Sequence, residues 1–117
     1  MNKRKVGTEY EELAVRYLAE NGVRVIARNF RSRMGEIDIV GHDGEYYIFF
    51  EVKYRKDMSS GRPEEAVNVR KQYRISRVAD YFRVYRRLKD TDNVRFDVIS
   101  ILGNEIRWYK NAFDYIS

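Results

Sequence analysis

The run Tyr46-Tyr47-Ile48-Phe49-Phe50 constrains the fold more than any other stretch of this chain. Five large apolar residues without alternation predict a strand covered on both faces, and such a strand belongs inside a sheet with helices on either side. The run ends in Glu51-Val52-Lys53. A carboxylate so close to a buried strand is costly unless a cation or metal compensates it. Side chains two apart on a strand share a face, so Glu51 and Lys53 point the same way.

Upstream, Gly35-Glu36-Ile37-Asp38-Ile39-Val40 reads as a second strand, and Asp43-Gly44 between the two is a strong hairpin signal. With those two residues as the turn, His42 faces Glu45, Asp38 faces Phe49 and Glu36 faces Glu51. Asp38 and Glu51 are then diagonal neighbours, roughly 7–8 Å apart or less. Two carboxylates converging beside an ammonium are the smallest kit for metal-assisted phosphodiester cleavage. Asp38 and Glu51 would be the metal ligands, with the Val52 carbonyl as a backbone donor. Such all-oxygen donors with open water positions suit Mg²⁺ or Mn²⁺ better than Zn²⁺. Lys53 would orient or deprotonate water, or stabilise charge on the phosphate. The alternative is a hairpin closed by cross-strand ion pairs, which arise readily in a chain that is 35% charged.

At 117 residues the chain predicts one domain, residues 1–117. It has no cysteine and a single histidine, which argues against thiolate or histidine-rich zinc sites and against a Ser-His triad. His42 is expected to be a turn residue. The lack of cysteine, of a membrane-length apolar run and of a signal-peptide core leads us to expect a cytoplasmic protein.

Charge is uneven. Residues 53–89 hold 12 Lys/Arg against 4 Asp/Glu, whereas residues 1–52 hold 8 against 9. A basic half beside a carboxylate-bearing half suggests a polyanionic partner, with nucleic acid the first choice. Lys71, Gln72, Arg74, Arg83, Arg86 and Arg87 are the candidate contacts, along with Arg70 and Arg77; the competing reading is a solvated helix face. Tyr46, Tyr47, Phe49, Phe50 and Trp108 are expected in the core rather than as stacking platforms.

Thr8-Glu9-Tyr10-Glu11 has capping-box form and predicts a helix ending at Asn21-Gly22. Its Glu11 borders the stripe of Ala14, Val15 and Leu18 and can lean towards the sheet. A strand over 23–30 and a turn over 31–35 precede the two strands already placed, and Arg55 to Gly61 reads as a loop. Pro63-Glu64-Glu65 predicts the start of a second helix running to about Leu88 and burying Ile75, Val78, Ala79 and Phe82. Strands over 94–102 and 105–109, turned at Gly103-Asn104, and a last helical turn over 111–116 complete the order. Helix, three strands, helix, two strands predicts an α/β fold: a mixed central sheet of about five strands, with the second helix as crossover.

Several motifs together resemble one family. Gly7 followed by Glu11, Gly35-Glu36-Ile37-Asp38, Phe50-Glu51-Val52-Lys53-Tyr54-Arg55, Lys71-Gln72, Arg95-Phe96-Asp97-Val98 and Asn111-Ala112-Phe113 resemble the YraN family of uncharacterised bacterial proteins. That family looks like a minimal branch of the restriction-endonuclease-like superfamily, related to archaeal Holliday junction resolvases. The resemblance implies a catalytic set of Glu11, Asp38, Glu51 and Lys53, with Gln72 at a polar position near the site. It implies a metal-dependent nuclease acting on DNA rather than RNA, with branched DNA a candidate substrate and a two-fold homodimer if two cuts are made. The proline that commonly precedes the aspartate in the superfamily is absent here; Gly35-Glu36-Ile37 stands in its place. The rival functions are a non-catalytic nucleic-acid-binding module and a protein that docks its basic helix on an acidic partner.

Overall fold

Helix α1 (Lys3–Glu20) leads into a meander of β1 (Arg24–Ser32), β2 (Gly35–His42) and β3 (Tyr46–Arg55). Helix α2 (Val69–Tyr85) then carries the chain back to β4 (Asn93–Leu102), and β5 (Glu105–Phe113) closes the sheet. The computed structural model describes residues 3–55 and 67–117, with side chains from residue 9 onward. The sheet order is β1-β2-β3-β4-β5, antiparallel throughout except for the parallel pairing of β3 with β4 across the α2 crossover. This is the mixed, helix-flanked α/β sheet expected from the sequence, and it is compatible with a restriction-endonuclease-like fold.

The two helices lie against opposite faces of the sheet. On one face Ala14 and Leu18 of α1 pack on Ile39, Ile48, Phe50, Ile99 and Ile101. On the other, Ile75, Val78, Ala79 and Phe82 of α2 pack on Ile37, Val40, Phe49, Phe96 and Val98. Phe49 and Phe50 are each 1% exposed and serve opposite faces, so β3 is buried on both sides as its composition predicts. The cross-face contacts are largely aromatic: Phe82 meets Phe30 and Phe49 edge-on, at 5.1 and 5.6 Å between ring centres.

Four boundaries differ from expectation. Helix α1 begins at Lys3 and runs through Thr8, so Thr8 is not its cap. Its end does fall at Asn21-Gly22: Gly22 takes φ 86°, Val23 N–H donates to Leu18 at 2.9 Å, and Gly22 N–H donates to Ala19 at 3.4 Å. Val23 and Leu18 share the core beneath this Schellman ending. Helix α2 starts at Val69 behind the N-cap Asn68, whose Oδ1 accepts from Lys71 N–H at 2.9 Å, and it ends at Tyr85 rather than Leu88. Pro63-Glu64-Glu65 and most of the expected 55–61 loop lie outside the described residues. At the C-terminus β5 extends to Phe113 and no helical turn follows.

The reason β5 persists is Asp97. Fully buried on β4, it accepts bonds from Arg95 Nε and a terminal guanidinium nitrogen, from Trp108 Nε1 at 2.8 Å, and from the Asn111 N–H at 2.8 Å. Asn111 adopts φ 52°, a left-handed conformation asparagine tolerates, and β4 and β5 change register there. A helical turn would withdraw that N–H from the buried carboxylate.

Candidate active site

The hairpin that carries the acids is wider than its sequence suggests. Strands β2 and β3 pair as Ile39 with Phe50 through His42 with Tyr47, so the connection spans four residues, Asp43 to Tyr46. The Asp43 side chain makes this loop, accepting from Glu45 N–H at 2.9 Å and Tyr46 N–H at 2.7 Å, while Asp43 N–H donates to the Tyr46 carbonyl. His42 Nδ1 accepts from Gly44 N–H, placing the histidine in the turn. Relative to a two-residue turn the register slips by two, so paired side chains such as Val40 and Phe49 still share a face. Phe49 pairs with Val40 rather than Asp38; the regular ladder ends at Ile39–Phe50, and across Asp38 the strand is irregular, Ile37 and Ile39 packing on opposite faces. At that point the Val52 N–H donates to Asp38 Oδ2 at 2.8 Å.

Glu51 is 6% exposed and turned towards α2. Its Oε1 takes the Lys53 ammonium at 3.0 Å and hydrogen-bonds the Lys71 ammonium. Strand alternation delivers Lys53; the Asn68 cap fixes Lys71 in the first turn of α2, facing the same carboxylate. Asp38, Glu51, Asn68, Arg70, Lys71 and Arg74 line one hollow of about 460 Å³ between the β2–β3 ends and α2.

The charges in this hollow are perturbed. Burial, reinforced by the neighbouring Glu51 charge and more weakly by Glu11 and Glu36, pushes Asp38 up to about 7, against the pull of the Val52 N–H. Burial likewise lowers Lys53, helped by the adjacent Lys71 ammonium and opposed by Glu51. Burial also works against the charge on Lys71, but its bonds to Glu51 and Lys53 outweigh this and hold it above the usual lysine value. Lys71 is thus the fixed cation and Lys53 the lysine that gives up its proton more readily.

The donor set suits a hard cation held by few protein ligands. Among the described residues no three acidic, histidine or cysteine side chains gather closely enough to enclose a metal. Two carboxylates in an open hollow still match Mg²⁺, which keeps several waters and relies on one or two carboxylates plus substrate phosphate. Asp38, raised first by burial and then by Glu51, has no Lys or Arg ion-paired with it among the described residues, whereas Glu51 has two lysines.

The motifs agree with the sequence comparisons. The uncharacterised protein family UPF0102 matches residues 10–101. The chain belongs to the UPF0102 family. A UPF0102 protein of Lachnoclostridium phytofermentans is 47% identical over 114 residues, covering 97% of both chains. One of Caldicellulosiruptor saccharolyticus is 40% identical over 97% of this chain and 100% of its own. One of Persephonella marina is 43% identical over 92% of each. This is the family that the YraN resemblance named.

Within this UPF0102 chain the expected site residues divide. Asp38, Glu51, Lys53 and Lys71 come together, and Arg74 borders them. Glu11 lies on α1 and is held towards β1, accepting from Asn29 Nδ2 at 2.9 Å with Arg28 at 3.9 Å; its charge still reaches Asp38. Gln72 turns back to the helix start, donating to the Val67 carbonyl at 2.8 Å. Arg83, Arg86 and Arg87 sit at the other end of α2, about 18–24 Å of helix from Lys71 at 1.5 Å per residue. The Val52 backbone meets Asp38 through its N–H. Arg70, also among the expected contacts, lines the hollow with them. Asn68 is the residue sequence reasoning missed; the asparagine directly before Val69-Arg70-Lys71 is the available signal, an N-cap displaced from the expected start.

Proposed function

We propose that this protein is a Mg²⁺- or Mn²⁺-dependent phosphodiesterase acting on nucleic acid, DNA in the first instance, in the cytoplasm. The observation that carries this reading is the convergence of Asp38 and Glu51 on one hollow, with two lysines on Glu51 and the Asp38 carboxyl driven up to about 7. A raised aspartate in the cleft and a lowered lysine on its neighbouring carboxylate point to a site built for chemistry. A divalent ion held by Asp38 and Glu51 would polarise the phosphoryl group and lower the pKa of bound water. Lys71 holds Glu51 in place and contributes positive charge beside the phosphate. Lys53, whose proton is easier to remove, would accept one from the attacking water, and the leaving oxygen, on the opposite side of phosphorus, would take its proton from solvent. Glu11 supports the site electrostatically from α1.

A non-catalytic nucleic-acid-binding module is the second reading, favoured by the Lys71 ammonium already seated on Glu51. The experiment that decides is cleavage of labelled duplex, single-stranded, flap and four-way-junction substrates in Mg²⁺ or Mn²⁺, wild type beside Asp38→Ala. We expect cutting by the wild type and loss of at least 100-fold in the variant, in line with general acid–base and electrostatic contributions of about 10²–10⁴. Equal cutting by both proteins would remove Asp38 from the site. Binding without cutting by either would leave the non-catalytic module.

A further inference from the structure

The carboxylate hollow is one end of a longer depression. A second hollow of about 590 Å³ adjoins it, lined by Arg31 to Glu36 and Arg74. A third, of about 510 Å³, lies between Ser32, Arg33 and Met34 on one side and Arg77 and Tyr81 on the other. Met34 borders all three, so together they form a trench along the β1–β2 hairpin tip and α2. The helix bank is a single stripe, since Arg70, Arg74, Arg77 and Tyr81 are spaced by four, three and four residues.

The two ends differ in chemistry. Near the carboxylates Arg33, Arg70 and Arg74 are exposed, and none is paired with a carboxylate among the described residues. Arg77 is immobilised instead: its guanidinium lies 3.1 Å from Asp80, donates to Tyr115 Oη and the Ile116 carbonyl, and sits over the Tyr73 ring. Beyond it Tyr81 and Tyr85 are 51% and 64% exposed, stacked with ring centres 6.3 Å apart and planes 14° off parallel. Phe30 supports both from behind, at 5.8 and 5.9 Å. These rings are braced by the core yet open outward.

We propose that the trench is a channel for single-stranded nucleic acid, its phosphates held by Arg33, Arg70 and Arg74 and one unpaired base stacked on Tyr81. A duplex keeps its base faces covered, so a braced, exposed aromatic ring can be used only by an unpaired strand. A second copy of this chain would bring its own arginines against these, and the chain carries a net charge of +5. Lys71 and Tyr81 are ten residues apart on α2, about 15 Å along the axis. That corresponds to roughly four nucleotides at the stacked spacing of 3.4 Å per strand. The inference rests on the nucleic-acid part of the reading above and names the substrate's form; it does not depend on cleavage.

The test is fluorescence anisotropy with fluorescein-labelled dT12, rU12 and an abasic twelve-mer of the same phosphate count, in EDTA. Wild type, Tyr81→Phe and Tyr81→Ala are compared, with thermal midpoints confirming that each is folded. The expected result is that Tyr81→Ala weakens dT12 or rU12 roughly 5- to 100-fold, Tyr81→Phe stays near wild type, and the abasic strand binds all three alike. A loss confined to dT12 or to rU12 assigns the channel to that polymer. Unchanged binding by Tyr81→Ala, or an equal loss on the abasic strand, overturns the channel. So does sedimentation showing a wild-type dimer that Tyr81→Ala dissociates. Because EDTA prevents metal-dependent cleavage, Tyr81-dependent binding by a protein that never cuts would sink only the nuclease reading. Asp38-dependent cutting with binding indifferent to Tyr81→Ala would sink only the channel.

Discussion

At Asp38 the cost of the site can be measured as pH dependence. Unfolded, this carboxyl titrates near 3.8; folded, burial and Glu51 raise it to about 7. Between those values the folded form binds the extra proton, so stability falls as pH rises from about 4 to about 7 and is level beyond. A pKa difference of about three corresponds to roughly 4 kcal/mol, an upper figure for a group this close to solvent. Asp38→Asn, which can still accept from the Val52 N–H, should therefore be more stable than wild type at pH 8 and equal to it near pH 4. Urea unfolding in EDTA at pH 4.5, 6 and 8 checks this, and parallel curves for the two proteins would contradict it. Of the site itself, Asp38, Glu51 and Lys53 were legible because strand periodicity fixes which side chains share a face. The Lys71–Glu51 contact was not, since it joins residues twenty apart across a crossover that no local pattern specifies. The exposed rings of Tyr81 and Tyr85 escaped notice for a related reason: helical spacing does not distinguish a braced surface aromatic from a buried one.

Elements were misjudged where a side chain overrides a local signal. Asp43-Gly44 marks a turn, but the Asp43 carboxylate gathers two N–H groups and widens it to four residues. The segment 111–116 reads as a last helical turn until Asp97 claims the Asn111 N–H. Replacing Asp97 tests this directly. Asp97→Ala strands the Arg95 guanidinium, the Trp108 N–H and the Asn111 N–H together, and breaking a buried, charge-assisted set of this kind costs about 3–5 kcal/mol. We expect hydrogen exchange in β5 to accelerate more than in β2 or β3, because those of the lost hydrogen bonds that cross between strands join β4 to β5 alone. Uniform acceleration across the sheet would mean that Asp97 stabilises the whole body rather than clamping its last strand.

For the molecule as a whole, element order and hydrophobic pattern were enough to give the sheet and its covering helices. One doubly buried strand leaves few other arrangements, and a parallel β3–β4 pair requires a crossover between them. Which arginines gather in one place was less legible, because arginines occur all along α2 and only the packed hairpin tip shows which of them line a trench. Salt dependence separates the groups. For a twelve-nucleotide single strand, changing Arg33, Arg70 and Arg74 together to Ala should lower the slope of log affinity against log salt by about 2, at roughly 0.7 per contact. Changing Arg83, Arg86 and Arg87 should alter it by less than half as much, since these lie at the far end of the helix. Equal effects would extend the binding face over all of α2.

The lone tryptophan gives the chain an optical property of its own. Trp108 on β5 donates to Asp97 on β4, lies 6.0 Å from Phe50 of β3 and meets Tyr17 of α1 edge-on at 6.4 Å. One indole on β5 therefore touches three other elements, on the face opposite Lys71 and Tyr81. Its emission reports on the integrity of the folded body without a label, and a strand bound in the trench would leave that signal unquenched.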